Sequence, residues 1–176
     1  MTDVYIVQKL ENNKDIIVNV PGSKSITNRA LMLAALSDGE CNLDGVLFSD
    51  DSRAFLDCLE KLGFQLFIDD KNEKRVKVVG TSGEIPNRKA TIDVRSAGTA
   101  ARFLTVMLAV TGGEYTLNSS EQMKKRPMGE IIDLIRNAGV KISCLEEEGH
   151  FPFIISSNGL DKKEVSINTD TSSQYA

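Results

Sequence analysis

Lys24 and Arg29 are the residues of this chain best placed, by type and by context, to hold an anion. They lie in Pro21-Gly22-Ser23-Lys24-Ser25-Ile26-Thr27-Asn28-Arg29-Ala30, where two cations, an amide and three hydroxyls sit between a β-like run, Ile16-Ile17-Val18-Asn19-Val20, and a helix-like run, Leu31 to Leu36. A helix start leaves backbone N–H groups unpaired and carries the positive end of the helix dipole, so a strand–turn–helix junction of this composition suits phosphate or carboxylate. Lys24 and Asn28 are four residues apart, as are Ser25 and Arg29, so each pair shares a helix face. An ordinary capped helix with solvated charges accounts for the same residues.

Two further junctions have related chemistry. Ser96, Gly98 and Thr99 precede Arg102, and Gly98 lacks the Cβ that would hold a ligand off the backbone. Ser172, Ser173 and Gln174 follow a third strand-like run, Glu164 to Asn168. Small and hydroxyl residues also cap helices with no ligand in view. A separate basic segment runs from Met123 to Gly129. Arg126 stands directly before Pro127, and its planar fork suits carboxylate or phosphate, whereas Lys124 and Lys125 read as a solvated face. At the matching place earlier in the chain, Ser49-Asp50-Asp51-Ser52 reads as an acidic helix cap, and Asp50 could orient Lys24. His150 is the only histidine and lies in a Gly-containing turn, Glu146 to Glu148 read as a solvated charge run, and no nucleotide-binding glycine loop is present.

The elements that must position these groups form a repeat. Strands are predicted near 16–20, 40–46, 64–68 and 75–79, with helices near 25–37 and 51–62, the second placing Phe55, Leu59 and Leu62 on one face. The pattern recurs with strands at 90–94, 114–117, 140–144 and 153–155. Its helices fall at 97–110, with Phe103, Val106, Met107 and Val110 on the apolar face, and at 127–137, started by Pro127. Gly39-Glu40 answers Gly113-Glu114, Gly63 answers Gly139, and Arg29 answers Arg102. Two βαβαββ units, at about 14–84 and 88–160, and the opening strand of a third at 161–176 are the economical account. The third unit stops where its helix should run, which leads us to expect a truncated chain.

Composition narrows the function. The chain has 176 residues, of which 41% are hydrophobic and 26% charged, with a net charge of −4. No basic excess exists to neutralise a nucleic-acid backbone. No apolar run approaches the ~20 residues of a membrane span, and the N-terminus lacks the pattern of a secretion signal. Cys41, Cys58 and Cys144 are odd in number and widely spaced, which reads as reduced thiols in a cytoplasmic protein.

Four ordered segments together resemble the 5-enolpyruvylshikimate-3-phosphate synthase family: Pro21 to Ala30, Ser96-Ala97-Gly98-Thr99-Ala100-Ala101-Arg102, Met123 to Gly129, and Ser172-Ser173-Gln174-Tyr175. The resemblance implies an α+β fold of βαβαββ units, the inside-out α/β barrel of the enolpyruvyl transferases, with this chain inside the N-terminal domain and the C-terminal domain absent. It implies transfer of the enolpyruvyl group of phosphoenolpyruvate to the 5-hydroxyl of shikimate 3-phosphate, without metal or organic cofactor. By position, Lys24 would contact both substrates and serve catalysis. Ser25, Arg29, Ser172, Ser173 and Gln174 would hold shikimate 3-phosphate, and Gly98, Arg126 and Gln174 would face phosphoenolpyruvate. Ser96 departs from the Asn of many members, and Gly rather than Ala at 98 resembles glyphosate-sensitive forms. Acid–base groups supplied by the second domain are missing, so the chain alone is expected to be inactive and to bind shikimate 3-phosphate weakly. A free-standing anion-binding or interaction module of the same architecture is the alternative. A nucleic-acid enzyme of related repeats, such as an RNA 3′-phosphate cyclase, is disfavoured by the acidic charge.

Overall fold

The computed structural model describes residues 17–71 and 74–161, with Val4, Ile6 and Glu164 as single positions. The predicted third-unit strand and the Ser172, Ser173 and Gln174 junction lie outside the described residues.

The elements run in the order α1 (Lys24–Leu36), β1 (Asp38–Leu43), α2 (Asp50–Lys61), β2 (Gln65–Asp69), β3 (Arg75–Thr81), β4 (Lys89–Asp93), α3 (Gly98–Thr111), β5 (Gly113–Asn118), α4 (Glu121–Lys124), α5 (Gly129–Asn137), β6 (Lys141–Cys144) and β7 (Phe153–Ser157). One sheet has the order β1-β3-β2, all antiparallel; the other has the order β4-β5-β7-β6, with β4 parallel to β5. The three strands of the first sheet therefore repeat the order β5-β7-β6 of the second. Between the sheets, α1, α2 and α3 touch one another, α1 also lies on β3, and α3 on β7. Leu31, Phe55, Leu59, Leu104, Leu108, Tyr115 and Ile155 belong to one continuous buried core.

The helical register repeats as well. When Arg29 is aligned with Arg102, the buried residues Thr27, Asn28, Leu31, Ala34 and Ala35 of α1 coincide with the buried Ala100, Ala101, Leu104, Met107 and Leu108 of α3. The core-facing stripe of α3 is thus set by small residues and leucines. Phe103 is only partly buried, and Val106 and Val110 face outward at 40% and 49% exposure, so the predicted apolar face of α3 is right only at Met107. The helix is apolar nearly all round, which hides its period.

Two elements differ from expectation. Ile17 to Val20 form no strand and are exposed, although the equivalent β4 is paired. β-branched composition favours a strand, but ladder partners decide it, and these residues have none among the described residues. The helix expected from Pro127 starts at Gly129, and the short α4 precedes it. Ser120 starts α4, its hydroxyl accepting from the Met123 N–H at 3.3 Å. The acidic turn is also more than a solvated run: Glu146 pairs with Lys124 at 3.0 Å and Glu148 with Arg136. Lys124, held as well by Glu121 at 3.0 Å, is only 25% exposed and is not a free solvated charge.

Cys58 is buried, and burial pushes its thiol up to about 12, with the Asp93 and Asp57 charges acting in the same direction. A thiol kept protonated and covered is a poor nucleophile. At pH 8, Ellman's reagent should therefore reach the half-buried Cys41 and Cys144 first. Cys58 should react only on unfolding; three thiols titrating together in the native protein would contradict this.

Candidate anion-binding site

The α1 junction is built by close backbone approach. A Cβ on Gly22 would lie 2.1 Å from the Gly45 carbonyl oxygen and 3.0 Å from the Leu47 nitrogen, so only glycine lets the Pro21–Ser23 turn lie against the 45–47 loop. One helical turn on, the buried Thr27 hydroxyl accepts from the Leu47 N–H at 3.2 Å. Ser23 caps α1 by accepting from the Ile26 N–H at 3.4 Å. These contacts fix where α1 begins and so where Lys24 stands.

Lys24 is the first residue of α1, about half exposed, with Nζ 3.1 Å from Asp51 Oδ2. The carboxylate facing Lys24 is thus Asp51 rather than Asp50, because the first turn of α2 presents its second residue to α1. Ser25 is exposed, and its carbonyl accepts from Arg29 Nη1 at 3.3 Å. The Arg29 guanidinium lies 5.5 Å from the centre of the Phe103 ring on α3, a cation–π contact. Arg29 and Phe103 are each five residues beyond the first residue of their helix, so this contact sets the N-terminal turns of α1 and α3 at matching depth.

At α3 the geometry is tighter. A Cβ on Gly98 would lie 3.1 Å from Arg126 Nη1 and 3.2 Å from Arg102 Nη1. Two guanidinium nitrogens thus lie within roughly 6 Å of each other, an arrangement that suits a carboxylate or phosphate. Arg102 Nη1 donates to the Gly98 carbonyl at 3.0 Å, and Arg126, outside any helix and exposed, has no ion-pair partner among the described residues. Ser96 does not cap α3; its hydroxyl pairs with that of Ser120 at 2.7 Å, tying the β4–α3 loop to α4.

The helix ends differ in what they leave open. α2 carries a capping box between Ser49 and Ser52 and two acids in its first turn, so its N-terminus is already satisfied. By contrast, α1 and α3 have no acid in the first turn, and α3 has no side-chain cap at all. Two of the three central helices therefore keep an electropositive end, each beside a fixed cation. Sequence reading singled out Lys24, Ser25, Arg29, Gly98 and Arg126 but missed Asp51 and Phe103. First-turn acids and an aromatic one turn into a helix are too common to stand out alone. Among the described residues no cluster of three or more His, Cys, Asp or Glu could hold a metal ion. Two open clefts elsewhere, one around Asp57, Cys58 and Arg95 and one around Arg88, Lys141 and Asp161, contain none of the anion-site residues.

Paired sheets of this strand order, with two helices that start beside cations and carry no first-turn acid, define an enolpyruvyl transferase type of domain. The fold matches that of EPSP synthase from Acinetobacter baumannii, with a TM-score of 0.73 at 24% identity over 86% of this chain and 32% of that one. A family model described as EPSP synthase (3-phosphoshikimate 1-carboxyvinyltransferase) matches residues 9–176, and the chain belongs to that family. It is 44% identical over 164 residues to the 3-phosphoshikimate 1-carboxyvinyltransferase of Neisseria meningitidis serogroup B, covering 92% of this chain and 37% of that protein. It is 40% identical over 153 residues to the enzyme of the same name from Trichormus variabilis, covering 87% and 36%. The chain thus spans about a third of the length of the curated relatives it matches. Among the described residues no helix is long and apolar enough to cross a membrane.

Because the atoms nearest a Cβ at Gly98 are the ends of flexible side chains, Gly98→Ala should leave the fold intact. We expect its melting temperature to stay within about 2 °C of the parent, the guanidiniums moving by a few tenths of an ångström. A larger fall in a thermal melt would mean that the α3 start is packed more rigidly than these contacts imply.

Proposed function

We propose that this chain forms the part of an enolpyruvyl transferase site that grips shikimate 3-phosphate and one end of phosphoenolpyruvate, within a cytoplasmic enzyme. The reaction is transfer of the enolpyruvyl group to the 5-hydroxyl with release of phosphate. The observation that carries this reading is the pairing of two helix starts that have no first-turn acid with cations: Lys24 and Arg29 at α1, Arg102 and Arg126 around Gly98 at α3. Both substrates are anionic, so binding them in one place needs several fixed donors that cost no reorganisation when charge develops. Lys24 and Ser25 take the phosphorylated substrate at α1, with Arg29 held in reach by Phe103. Gly98 offers bare backbone, and Arg126 a guanidinium fork, to the carboxylate or phosphate of phosphoenolpyruvate. The Ser172, Ser173 and Gln174 junction completes the shikimate 3-phosphate contacts in this reading.

Chemistry needs more than grip. Protons must move to and from carbon and oxygen, which requires positioned acid and base groups and exclusion of water. A chain spanning about a third of its relatives' length supplies one wall of such a site. With both substrates present, the 176-residue chain is expected to bind shikimate 3-phosphate weakly and saturably while releasing no phosphate above background in a malachite green assay. Sustained phosphate release would overturn the assignment of the missing acid–base groups to the rest of the relatives' length. Absence of any saturable binding would overturn the site.

A further inference from the structure

The side chain of Asn28 is fully buried, and among the described residues neither its amide nitrogen nor its amide oxygen has a hydrogen-bond partner. Leaving such a group buried and unpaired is costly, so an amide at this place needs an explanation. Packing does not supply one. The repeat-equivalent residue on α3 is Ala101, equally buried in the same core-facing stripe, so an alanine fills this position in the second copy of the unit.

Position suggests what the amide is for. Asn28 is the last polar residue of the α1 stripe before it turns wholly apolar at Leu31, Ala34 and Ala35. It stands one turn below Lys24 on the same helix face, and Lys24 closes onto Asp51 at the start of α2. The lysine ammonium has three donors, and among the described residues it pairs with Asp51. An amide beneath it offers an acceptor for a second ammonium proton and a donor for a carboxylate or a bound oxyanion.

We propose that Asn28 is a positioning residue of the anion site: when ligand binds, its amide oxygen accepts from Lys24 and its amide nitrogen donates toward Asp51 or the ligand. Lys24 is thereby held at the mouth of the site rather than swinging through solvent. This rests on the shikimate 3-phosphate reading of the α1 junction. It separates binding from stability, because alanine fills the equivalent place in the second unit.

Asn28→Ala should therefore melt at the parent temperature or above it, while its affinity for shikimate 3-phosphate falls about fivefold or more, the loss of roughly one hydrogen bond. In the parent chain, the Asn28 side-chain NH2 signals in a ¹⁵N spectrum should move as shikimate 3-phosphate is added. A variant that melts several degrees lower with unchanged affinity would make the amide structural and overturn the proposal. So would NH2 signals that stay still while the backbone amides of α1 shift. If Lys24→Ala binds like the parent, the reading of the junction itself has failed, and the proposal falls with it.

Discussion

Gly22→Ala is expected to lower the melting temperature by about 6–12 °C, from a cost of about 3 kcal/mol and a shift of about 2–4 °C per kcal/mol for a chain of this size. The cause is space, not backbone freedom. The added carbon would meet the Gly45 carbonyl oxygen at 2.1 Å and the Leu47 nitrogen at 3.0 Å, and both are backbone atoms that cannot swing aside. Relief requires the Pro21–Ser23 turn to lift away from the 45–47 loop, which also breaks the bond from the Leu47 N–H to the Thr27 hydroxyl. The start of α1 then loses both of its tethers, and with them the placement of Lys24. A thermal melt followed by circular dichroism measures the loss, and an unchanged melt would mean that the turn is held elsewhere.

Lys24→Ala is expected to do the opposite: little to the fold and much to the ligand. The Lys24–Asp51 pair is half exposed on the lysine side, and such pairs contribute about 0–1 kcal/mol. Asp51 also remains in the first turn of α2, where a negative charge is favourable without a partner. The melt should therefore stay within about 2 °C. A charge-assisted hydrogen bond to an anion is worth about 1.5–3 kcal/mol, so affinity for shikimate 3-phosphate should fall about 10- to 150-fold, beyond detection for a weak binder. Calorimetric titration of parent and variant checks this. Equal heats in the two would remove Lys24 from the site.

The contrast between these two residues shows what the chain made legible. The helix start at the α1 junction could be read directly, because Gly, Ser and Lys precede an apolar helical run there, although the strand expected before it does not form. The repeat was legible too, since Arg29 and Arg102, Gly63 and Gly139 keep their spacing through two copies, and every buried residue of α1 has a buried counterpart in α3. Pairwise geometry was not. Nothing local distinguishes Asp50 from Asp51 as the partner of Lys24; the rotation of α2 against α1 decides it. The outward placement of Val106 and Val110 was hidden because α3 is apolar on nearly every side. The failure of Ile17 to Val20 to form a strand is a matter of ladder partners, which β-branched composition does not encode. Gly22 was read as a turn residue, whereas its role is to let two loops touch.

That the acid-free starts of α1 and α3 hold the two anionic substrates is tested most directly by adding shikimate 3-phosphate and then phosphoenolpyruvate to the ¹⁵N-labelled chain and following every backbone amide. Shikimate 3-phosphate should shift most the first turn of α1, around Lys24 and Ser25, and phosphoenolpyruvate added next should shift the first turn of α3, around Gly98, each saturably, with the capping-box start of α2 responding less. Shifts scattered over the surface without saturation, or centred on the capped start of α2 while α1 and α3 stay silent, would contradict it.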